Sequence, residues 1–155
     1  MSGEVNTCEW IFIKATPEQV WVALTAPEFT TRYFPGGSMT SDWQAGSDYA
    51  RTSPDGAVMY EGKVLESDRP RRLVQTVNFR VPRFAGHQEM TIEWDIERLG
   101  EACKIKISHR GSASDAQMIE TLTSYCPTML SGMKTLLETG QPLHIAEPLA
   151  SAASA

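Results

Sequence analysis

The sequence predicts an α+β fold in which a curved antiparallel sheet of about six to seven strands grips a long C-terminal helix. Apolar residues recur every three or four positions between Asp115 and Thr139, which is the spacing of an amphipathic helix. Alternating apolar and polar residues fill much of the chain from Ser38 to His109, with short turns between the runs. Two short helical segments follow the first strand, and consecutive strands with short turns argue against a parallel sheet.

The N-terminal elements have clear start signals. Cys8–Lys14 alternates as a strand. We expect Thr16 to be the N-cap of the first helix, because Pro17 suits the first helical position and Gln19 can complete a capping box. A second short helix should end near Tyr33.

The middle of the chain reads as a series of antiparallel strands. The predicted strands are Ser38–Asp42, Asp48–Ser53, Val58–Ser67, Arg72–Val81, Glu89–Arg98 and Cys103–His109. In the last hairpin each strand has one apolar face and one charged face. The acidic residues of its first strand should lie opposite Lys104 and Lys106 of its second, which predicts attractive cross-strand pairs.

Pro127 lies inside the predicted C-terminal helix and removes one backbone hydrogen bond. We expect it, together with Gly132, to bend the helix so that it follows the curved sheet. The alternative is that Pro127 divides the segment into two helices. The sequence therefore predicts one domain over residues 8–142, with flexible ends at 1–7 and 143–155.

Composition limits the classes of function. The 155 residues include 14 Lys and Arg against 19 Asp and Glu, and this net charge of -5 argues against nucleic-acid binding. No apolar run approaches the ~20 residues that span a bilayer, and the N-terminus lacks the features of a secretory signal. Cys8, Cys103 and Cys126 form no metal-binding pattern, so free thiols are expected. We expect a cytoplasmic monomer or homodimer without a metal or cofactor.

Several segments occur in an order that is typical of one superfamily. They are Ala15–Thr25, Pro27–Glu28, Tyr33, Asp42–Trp43, Gly46–Ser47, Gly62–Glu66, Pro70–Leu73 and Leu130–Gly140. In this order they resemble the START-like helix-grip (SRPBCC) superfamily. Within it the chain is most similar to the family named for the C-terminal domain of the activator of the ninety-kilodalton heat-shock protein's ATPase. The resemblance covers residues 9–142, and one departure is Met133, where many members have Trp.

The resemblance implies a strongly bent antiparallel sheet around the last helix, with a cavity between them. Members of the superfamily bind lipids, hormones or polyketides, and a few are cyclases or dehydratases. Because one fold serves many functions, the site must be argued from its own residues.

The inward-facing positions are rich in Met and aromatic side chains. Such side chains suit an adaptable apolar pocket, but they can equally fill a solid core. The candidate ligand-binding residues are Tyr49, Tyr60, Phe79, Met90, Trp94, His109, Met118, Tyr125, Met129 and Met133.

His109 is the one catalytic candidate, because it continues the apolar register of its strand after Ile107. It could bind a ligand by a hydrogen bond, act as a general base, or be a structural histidine at the strand end. Arg80, Arg83 and Arg110 could pair with an anionic group of a ligand or remain in solvent.

The sequence favours a binding protein for a small hydrophobic molecule, held between the sheet and the last helix. One alternative is a chaperone-associated ATPase regulator that uses the outer surface. Another is a polyketide cyclase-like or dehydratase-like enzyme, with His109 and a Tyr or Arg as the acid–base pair. Binding is favoured because the inward-facing register is rich in Met and aromatic residues. The chain has no nucleophile motif, phosphate loop or metalloprotease motif, but an acid–base enzyme needs only one or two scattered groups.

Overall fold

The computed structural model describes residues 3–33 and 37–145, which form a curved seven-stranded antiparallel sheet in the order β1-β7-β6-β5-β4-β3-β2. The strands are β1 (Glu4–Ile13), β2 (Ser38–Ser41), β3 (Asp48–Thr52), β4 (Val58–Asp68), β5 (Arg72–Phe79), β6 (Met90–Leu99) and β7 (Ala102–Ser112). The α-helices are α1 (Pro17–Thr25), α2 (Pro27–Tyr33), α3 (Ala116–Ser124) and α4 (Cys126–Thr139). The predicted α+β fold is confirmed. The domain limits of 8–142 stay a prediction, and residues 146–155 of the predicted flexible tail lie outside the described residues.

β1 is longer than the sequence predicts. It begins at Glu4, which pairs with Ser112 of β7, and it continues through Thr7 without a break. Residues 1–7 were expected to be flexible, so Glu4–Thr7 corrects that expectation. This stretch is mostly polar, so its sequence shows no clear alternation of apolar and polar residues. It forms a strand because it pairs with β7.

α1 begins with the predicted capping box. The Thr16 hydroxyl accepts a hydrogen bond from the Gln19 N–H at 3.2 Å, and the Gln19 side chain accepts one from the Thr16 N–H at 2.8 Å. Val20, Trp21 and Leu24 of this helix are buried, and the helix packs against α2, α4 and β6. The cap fixes where the chain turns from β1 onto the sheet.

The C-terminal helical segment is bent at Tyr125, between α3 and α4. Pro127 has no N–H to donate to the Thr123 carbonyl, so the regular hydrogen-bond ladder is interrupted there. The Tyr125 N–H instead donates to the Leu122 carbonyl at 3.1 Å, which tightens the turn. The predicted bent segment is confirmed, and it takes the form of two consecutive helices.

Side chains of α4 cover the free edge of β1. The Lys134 ammonium donates to the Phe12 carbonyl at 2.8 Å, and the Glu138 carboxylate accepts from the Lys14 N–H at 2.8 Å. These bonds satisfy edge groups that would otherwise be open to another strand. They also hold α4 over the concave face of the sheet.

An extra residue in β4 increases the curvature of the sheet. The register of β4 against β5 shifts between Val64 and Glu66, which makes Leu65 a β-bulge. β2 then reaches over the concave face, because Gln75 Nε2 of β5 lies 3.6 Å from Met39 Sδ of β2. Two strands, β3 and β4, separate these residues along the sheet.

Gly62 lies beside this bulge, where β5 comes close. A Cβ at Gly62 would stand 2.7 Å from Thr76 Oγ1 and 2.8 Å from the Thr76 carbonyl carbon. Thr76 Oγ1 accepts from the Lys63 N–H at 2.9 Å, and the Thr76 carbonyl accepts from the Tyr49 hydroxyl at 2.5 Å. The missing side chain at Gly62 therefore lets Tyr49 lie across β4 on the concave side.

Candidate functional site

The concave face carries a polar row between two apolar clusters. By strand register, Gln75 of β5, Ile92 of β6, His109 of β7 and Thr7 of β1 lie side by side. Gln75 and His109 are buried. We refer to these four residues as the middle row.

The two apolar clusters lie on opposite sides of the middle row. The larger cluster includes the predicted site residues Trp94, Met129 and Met133. The smaller cluster has the buried members Val77, Met90 and Ile119. Its partly buried neighbours are Val5, Tyr60, Phe79, Ile92, Met118 and Leu122. Ile92 contacts both clusters, so it lies where the interior changes from one to the other.

Ile92 is less buried than its neighbours on the same face of β6. Its neighbours on the same face of β6, Met90 and Trp94, retain 2% and 3% of their accessible surface, whereas Ile92 is only partly buried. A side chain on this face keeps accessible surface where solvent or unfilled space adjoins it. Met118 and Leu122 of α3 are partly buried in the same region.

Two polar atoms of the middle row adjoin accessible space. Gln75 Oε1 and His109 Nε2 make no hydrogen bond within the described residues, and neither is fully enclosed. Gln75 Nε2 lies against the Met39 thioether, which is a weak acceptor. The middle row therefore retains hydrogen-bonding capacity for a bound molecule.

The His109 imidazole is held by two threonines. Its Nδ1 lies 3.4 Å from Thr123 Oγ1, which lies 2.6 Å from Thr7 Oγ1. The Thr123 hydroxyl donates to the Ile119 carbonyl at 2.8 Å, so it accepts from His109, and this assigns the ring proton to Nδ1. Burial lowers the pKa of His109 to about 4, so at neutral pH the ring is neutral with a lone pair on Nε2.

A series of aromatic rings lies on the concave side of β3, β4 and β5. The ring centroids of Trp43 and Tyr49 are 6.2 Å apart, and those of Tyr49 and Tyr60 are also 6.2 Å apart. The series continues from Tyr60 to Phe79 at 5.1 Å and from Phe79 to Phe84 at 5.0 Å. These spacings are those of favourable aromatic contacts, and the rings form an apolar wall on the concave side of the sheet.

The loop between β5 and β6 joins the open end of the sheet to the helical segment. Arg83 Nη1 lies 3.5 Å from the Tyr125 hydroxyl, and the Gln88 N–H donates to the Asp115 carboxylate at 2.9 Å. His87 fixes the loop itself, because its Nδ1 donates to the Gln88 carbonyl at 2.5 Å while its Nε2 accepts from the last N–H of β5 at 2.8 Å.

Arg51 is a buried charge that sequence reasoning missed. It lies on the concave side of β3 with 4% of its surface accessible, and Met39 and Tyr60 are its cross-strand neighbours. Burial lowers the pKa of its guanidinium, and the hydroxyls of Tyr60 and Tyr33 oppose that shift. The signal was present in the strand alternation, since Arg51 follows the inward-facing Tyr49 by two residues.

The structure places the ten predicted site residues in five settings. Tyr49, Tyr60 and Phe79 are in the aromatic series, His109 is in the middle row, Met90 and Met118 belong to the smaller cluster, Trp94, Met129 and Met133 belong to the larger cluster, and Tyr125 is at the helix bend. Met133 has 0% of its surface accessible, so it packs as core. For each of the ten, contact with a ligand stays a prediction.

Two of the three arginines considered as anion partners pair with carboxylates of the protein. Arg80 Nε is 2.7 Å from the Glu61 carboxylate, and Arg110 Nη1 is 3.5 Å from Glu93 on the outer face. Arg83 belongs to the loop that contacts the helical segment. Arg51 is a cation on the concave side of β3.

The outer face of the sheet carries an open groove of about 500 Å³ with charged walls. Arg72 makes ion pairs there with Asp95 at 2.8 Å and with Glu66 at 3.2 Å. The register also places Asp95 opposite Lys106, which confirms the predicted meeting of acidic and basic strand faces. Charges that satisfy one another in this way do not single out a ligand.

Within residues 3–33 and 37–145, no group of three His, Cys, Asp or Glu side chains is placed to hold a metal ion. No helix in this part of the chain is long and apolar enough to cross a bilayer. The cysteines are free thiols, of which Cys8 is exposed while Cys103 and Cys126 are buried. Burial, with the nearby Glu9 carboxylate, raises the pKa of Cys126 to about 12.

A curved antiparallel sheet, two short helices after its first strand and a bent C-terminal helical segment on its concave face define a START-like helix-grip protein. The sequence profile of one family of this class, described as "Activator of Hsp90 ATPase homolog 1-like protein", matches residues 14–138. The chain belongs to that family.

Solved structures agree on the fold. CalU16 from Micromonospora echinospora is 16% identical with a TM-score of 0.71, over 98% of this chain and 92% of that one. MLL2253 from Mesorhizobium loti is 16% identical with a TM-score of 0.75, over 86% and 97%. DynU16, from the dynemicin biosynthetic locus, is 18% identical with a TM-score of 0.75, over 88% of this chain and 48% of that one. At these identities the likeness shows the fold alone, and a comparison with curated proteins found no match.

Proposed function

We propose that the protein has a gap between the concave face of the sheet and the α3–α4 segment, and that it binds a small hydrophobic molecule there. The observation that carries the proposal is the accessible surface of Ile92 between the buried Met90 and Trp94. A mostly apolar space with a few polar groups is the usual make-up of a small-molecule site.

The walls of the gap suit such a ligand. An apolar body packed against Tyr60 and Phe79 would gain roughly 25 cal/mol for each Å² of apolar surface removed from water. The lone pair of His109 Nε2 and the amide oxygen of Gln75 would accept hydrogen bonds and orient the molecule.

The experiment fills the gap with a side chain and compares it with a matched control on the same strand. Ile92→Trp places an indole in the gap, whereas Thr91→Trp places one on the opposite face of β6. In native mass spectrometry against a panel of lipids and aromatic compounds, we expect adducts on the wild type and Thr91→Trp but none on Ile92→Trp.

The same variants test the gap without a ligand. In a solid interior, Ile92→Trp would lower the free energy of unfolding by about 1–3 kcal/mol through overpacking. With a gap, the change should stay within about 0.5 kcal/mol, as for an unstrained substitution. An overpacking loss, together with no adduct on the wild-type protein, would contradict the proposal.

The enzyme alternative depends on His109, and its surroundings favour binding. A base with a pKa of about 4 takes up a proton poorly at neutral pH. Its hydrogen-bond partner Thr123, and Thr7 that is bonded to Thr123 in turn, carry hydroxyls that do not titrate near neutrality. We therefore propose that His109 accepts a hydrogen bond rather than a proton.

A second candidate function is regulation of a chaperone ATPase, and it is favoured by the outer surface. Trp10 and Phe12 of β1 are 53% and 44% exposed with their rings in contact at 5.3 Å, and Lys104 lies 4.8 Å from the Trp10 ring. Exposed neighbouring aromatic residues are characteristic of protein–protein contacts. The family description names an activator of the Hsp90 ATPase, so an ATPase of this type is the partner that this surface would bind.

The chaperone function is tested with an Hsp90-type ATPase and two serine variants. Trp10→Ser should abolish any stimulation and co-purification, while Leu65→Ser, at an equally exposed site on β4 with 54% accessible surface, should retain both. An unchanged ATPase rate in the presence of the wild-type protein would end this proposal and leave the ligand site untouched.

A further inference from the structure

We propose that two copies of this chain pair through the exposed edge of β1, antiparallel to each other and centred on Cys8, to form a symmetric dimer. The inference concerns the rim of the sheet, so it does not depend on the ligand site proposed above.

β1 is an edge strand, and its middle section is open. In an antiparallel strand the N–H and C=O groups of one residue point to the same side, and that side alternates along the chain. The Phe12 carbonyl accepts from Lys134 at the free edge, so the even-numbered residues of β1 face this edge. Within the described part of the chain, the edge groups of Asn6, Cys8 and Trp10 make no hydrogen bond.

The open section has the features of a strand that can accept a partner. Native edge strands are commonly protected by lysine, proline or a β-bulge. The segment Glu4–Ile13 contains neither lysine nor proline, and its register with β7 runs without a shift. Asn6, Cys8 and Trp10 are all exposed. The cover that α4 supplies begins only at Phe12.

The outward side chains of β1 are self-complementary in size. Asn6 and Cys8 are small, whereas Trp10 and Phe12, further along the same face, are large and exposed. A two-fold antiparallel pair centred on Cys8 places Trp10 of each copy beside Asn6 of the other. Each indole would then cover small side chains of the second copy and lose surface that is now exposed to water. A second copy supplies this fit reciprocally, which favours it over an unrelated extended peptide.

The open section also determines the register of the pair. Asn6, Cys8 and Trp10 would pair with the same residues of the second copy in reverse order. Each edge-facing N–H and C=O group in the section then has a partner across the two-fold axis. A shift in either direction would leave some of these groups unpaired or would run into the cover at Phe12.

Charges along β1 are compatible with this register. Glu9, on the concave side of the strand, would lie opposite Thr7 of the second copy, and Glu4 would lie opposite Phe12. No carboxylate therefore lies directly opposite another, which is the arrangement that would destabilise a strand pair.

The position of Cys8 on the axis gives a direct readout. Directly opposite residues of a hydrogen-bonded antiparallel pair have Cα atoms about 5.5 Å apart, which lies within the range of ~4.4–6.8 Å that a disulfide spans. Cys8 is exposed, while Cys103 and Cys126 are buried. Diamide should therefore join the two Cys8 side chains, because two thiols give up two protons and two electrons to the reagent as the S–S bond forms.

The association itself is measured on the full chain alone, under reducing conditions, by sedimentation velocity from micromolar to millimolar protein. We expect a concentration-dependent dimer. Trp10→Ser should raise its dissociation constant about tenfold or more, because an indole leaves each side of the interface. Leu65→Ser, at an equally exposed site on β4, should dimerise as the wild type does.

The cross-link has its own control. Asn6→Cys combined with Cys8→Ser moves the exposed thiol by two residues on the same face of β1. In the proposed register residue 6 lies opposite Trp10, so the two introduced thiols would be too far apart to form a disulfide. Diamide should thus yield linked dimers from the wild type and not from the double variant.

A wild-type chain that stays monomeric over the whole concentration range would overturn the inference. A dimer that is equally stable in Trp10→Ser, or that links thiols at residue 6 as readily as at Cys8, would overturn it as well, because the contact would then lie elsewhere. The ligand site is unaffected by either result. An Hsp90-type partner would compete for Trp10, so the absence of other proteins keeps this test separate from the ATPase assay.

Discussion

For Gly62→Ala, the general effect of replacing a glycine and the local geometry predict changes of opposite sign in the free energy of unfolding. Exchanging Gly for Ala where the backbone permits it stabilises a protein by about 0.4–1 kcal/mol, because the unfolded chain loses freedom. The backbone of Gly62 is outside the left-handed region, so an alanine could adopt it. The contact with β5 therefore decides the outcome.

The magnitude follows from the approach of Thr76. The added Cβ would meet the Thr76 carbonyl oxygen first, and it would lie 2.8 Å from the carbonyl carbon, about 0.7 Å closer than the ~3.5 Å of an optimal contact. Either β4 and β5 separate, or the Thr76 carbonyl turns away from the Tyr49 hydroxyl. Overpacking of this kind costs about 1–3 kcal/mol, which outweighs the entropic gain and leaves a net loss of about 1–2 kcal/mol.

Urea unfolding followed by tryptophan fluorescence measures this difference. Gly3→Ala is the matched control, because its Cβ would meet Ala113 Cβ at 3.6 Å, an ordinary contact. We expect Gly3→Ala to unfold within about 0.5 kcal/mol of the wild type. A Gly62→Ala protein as stable as the wild type, or more so, would refute the argument that this glycine is required by the close approach of β5.

Three further predictions concern single side chains. Thr16→Ala should lower the free energy of unfolding by about 1 kcal/mol in urea titrations, because the Gln19 N–H loses its acceptor, and Thr16→Ser should restore it. The pKa of His109 is about 4 in the folded state and 6.5 in the unfolded state, so the unfolded chain takes up the extra proton as the pH falls. Stability should drop by about 2 kcal/mol between pH 7 and pH 5 on this account, and His109→Gln should remove that part of the pH dependence. Iodoacetamide should label Cys8 in the native protein and all three thiols after unfolding, whereas native labelling of Cys126 would contradict its burial and its pKa of about 12.

Local signals in the sequence were sufficient where a structure depends on local contacts. The capping box at Thr16 needs only the four residues that form it. The alternation of the last hairpin predicted which side of β7 is buried, and His109 is buried as its register required. Pro127 predicted a bend because a proline in a helix interior removes a hydrogen bond, and in the structure it lies in the first turn of α4, directly after the bend.

The site itself depends on register, which the local pattern does not contain. Gln75, Ile92 and His109 become neighbours only when β5, β6 and β7 are aligned, and that alignment follows from turn lengths. The bulge at Leu65 then brings β2 over the concave face. Arg51 could be placed inward by alternation, but a charged residue in a short strand gives no sign that it will be buried.

The middle row divides the interior, and this division would allow the proposed gap to persist. Apolar side chains on α3 could fill the space in front of Ile92 only by covering Gln75 and His109, and burying their polar atoms without partners would cost about 1–3 kcal/mol each. α3 instead supplies Thr123, whose hydroxyl accepts from His109 and occupies little volume. The remaining atoms, Gln75 Oε1 and His109 Nε2, keep their access to the space between the two clusters. A ligand that is apolar along most of its length and polar where it crosses this row would fill the space and also give Gln75 and His109 hydrogen-bond partners. Tighter packing of the protein alone would not achieve this.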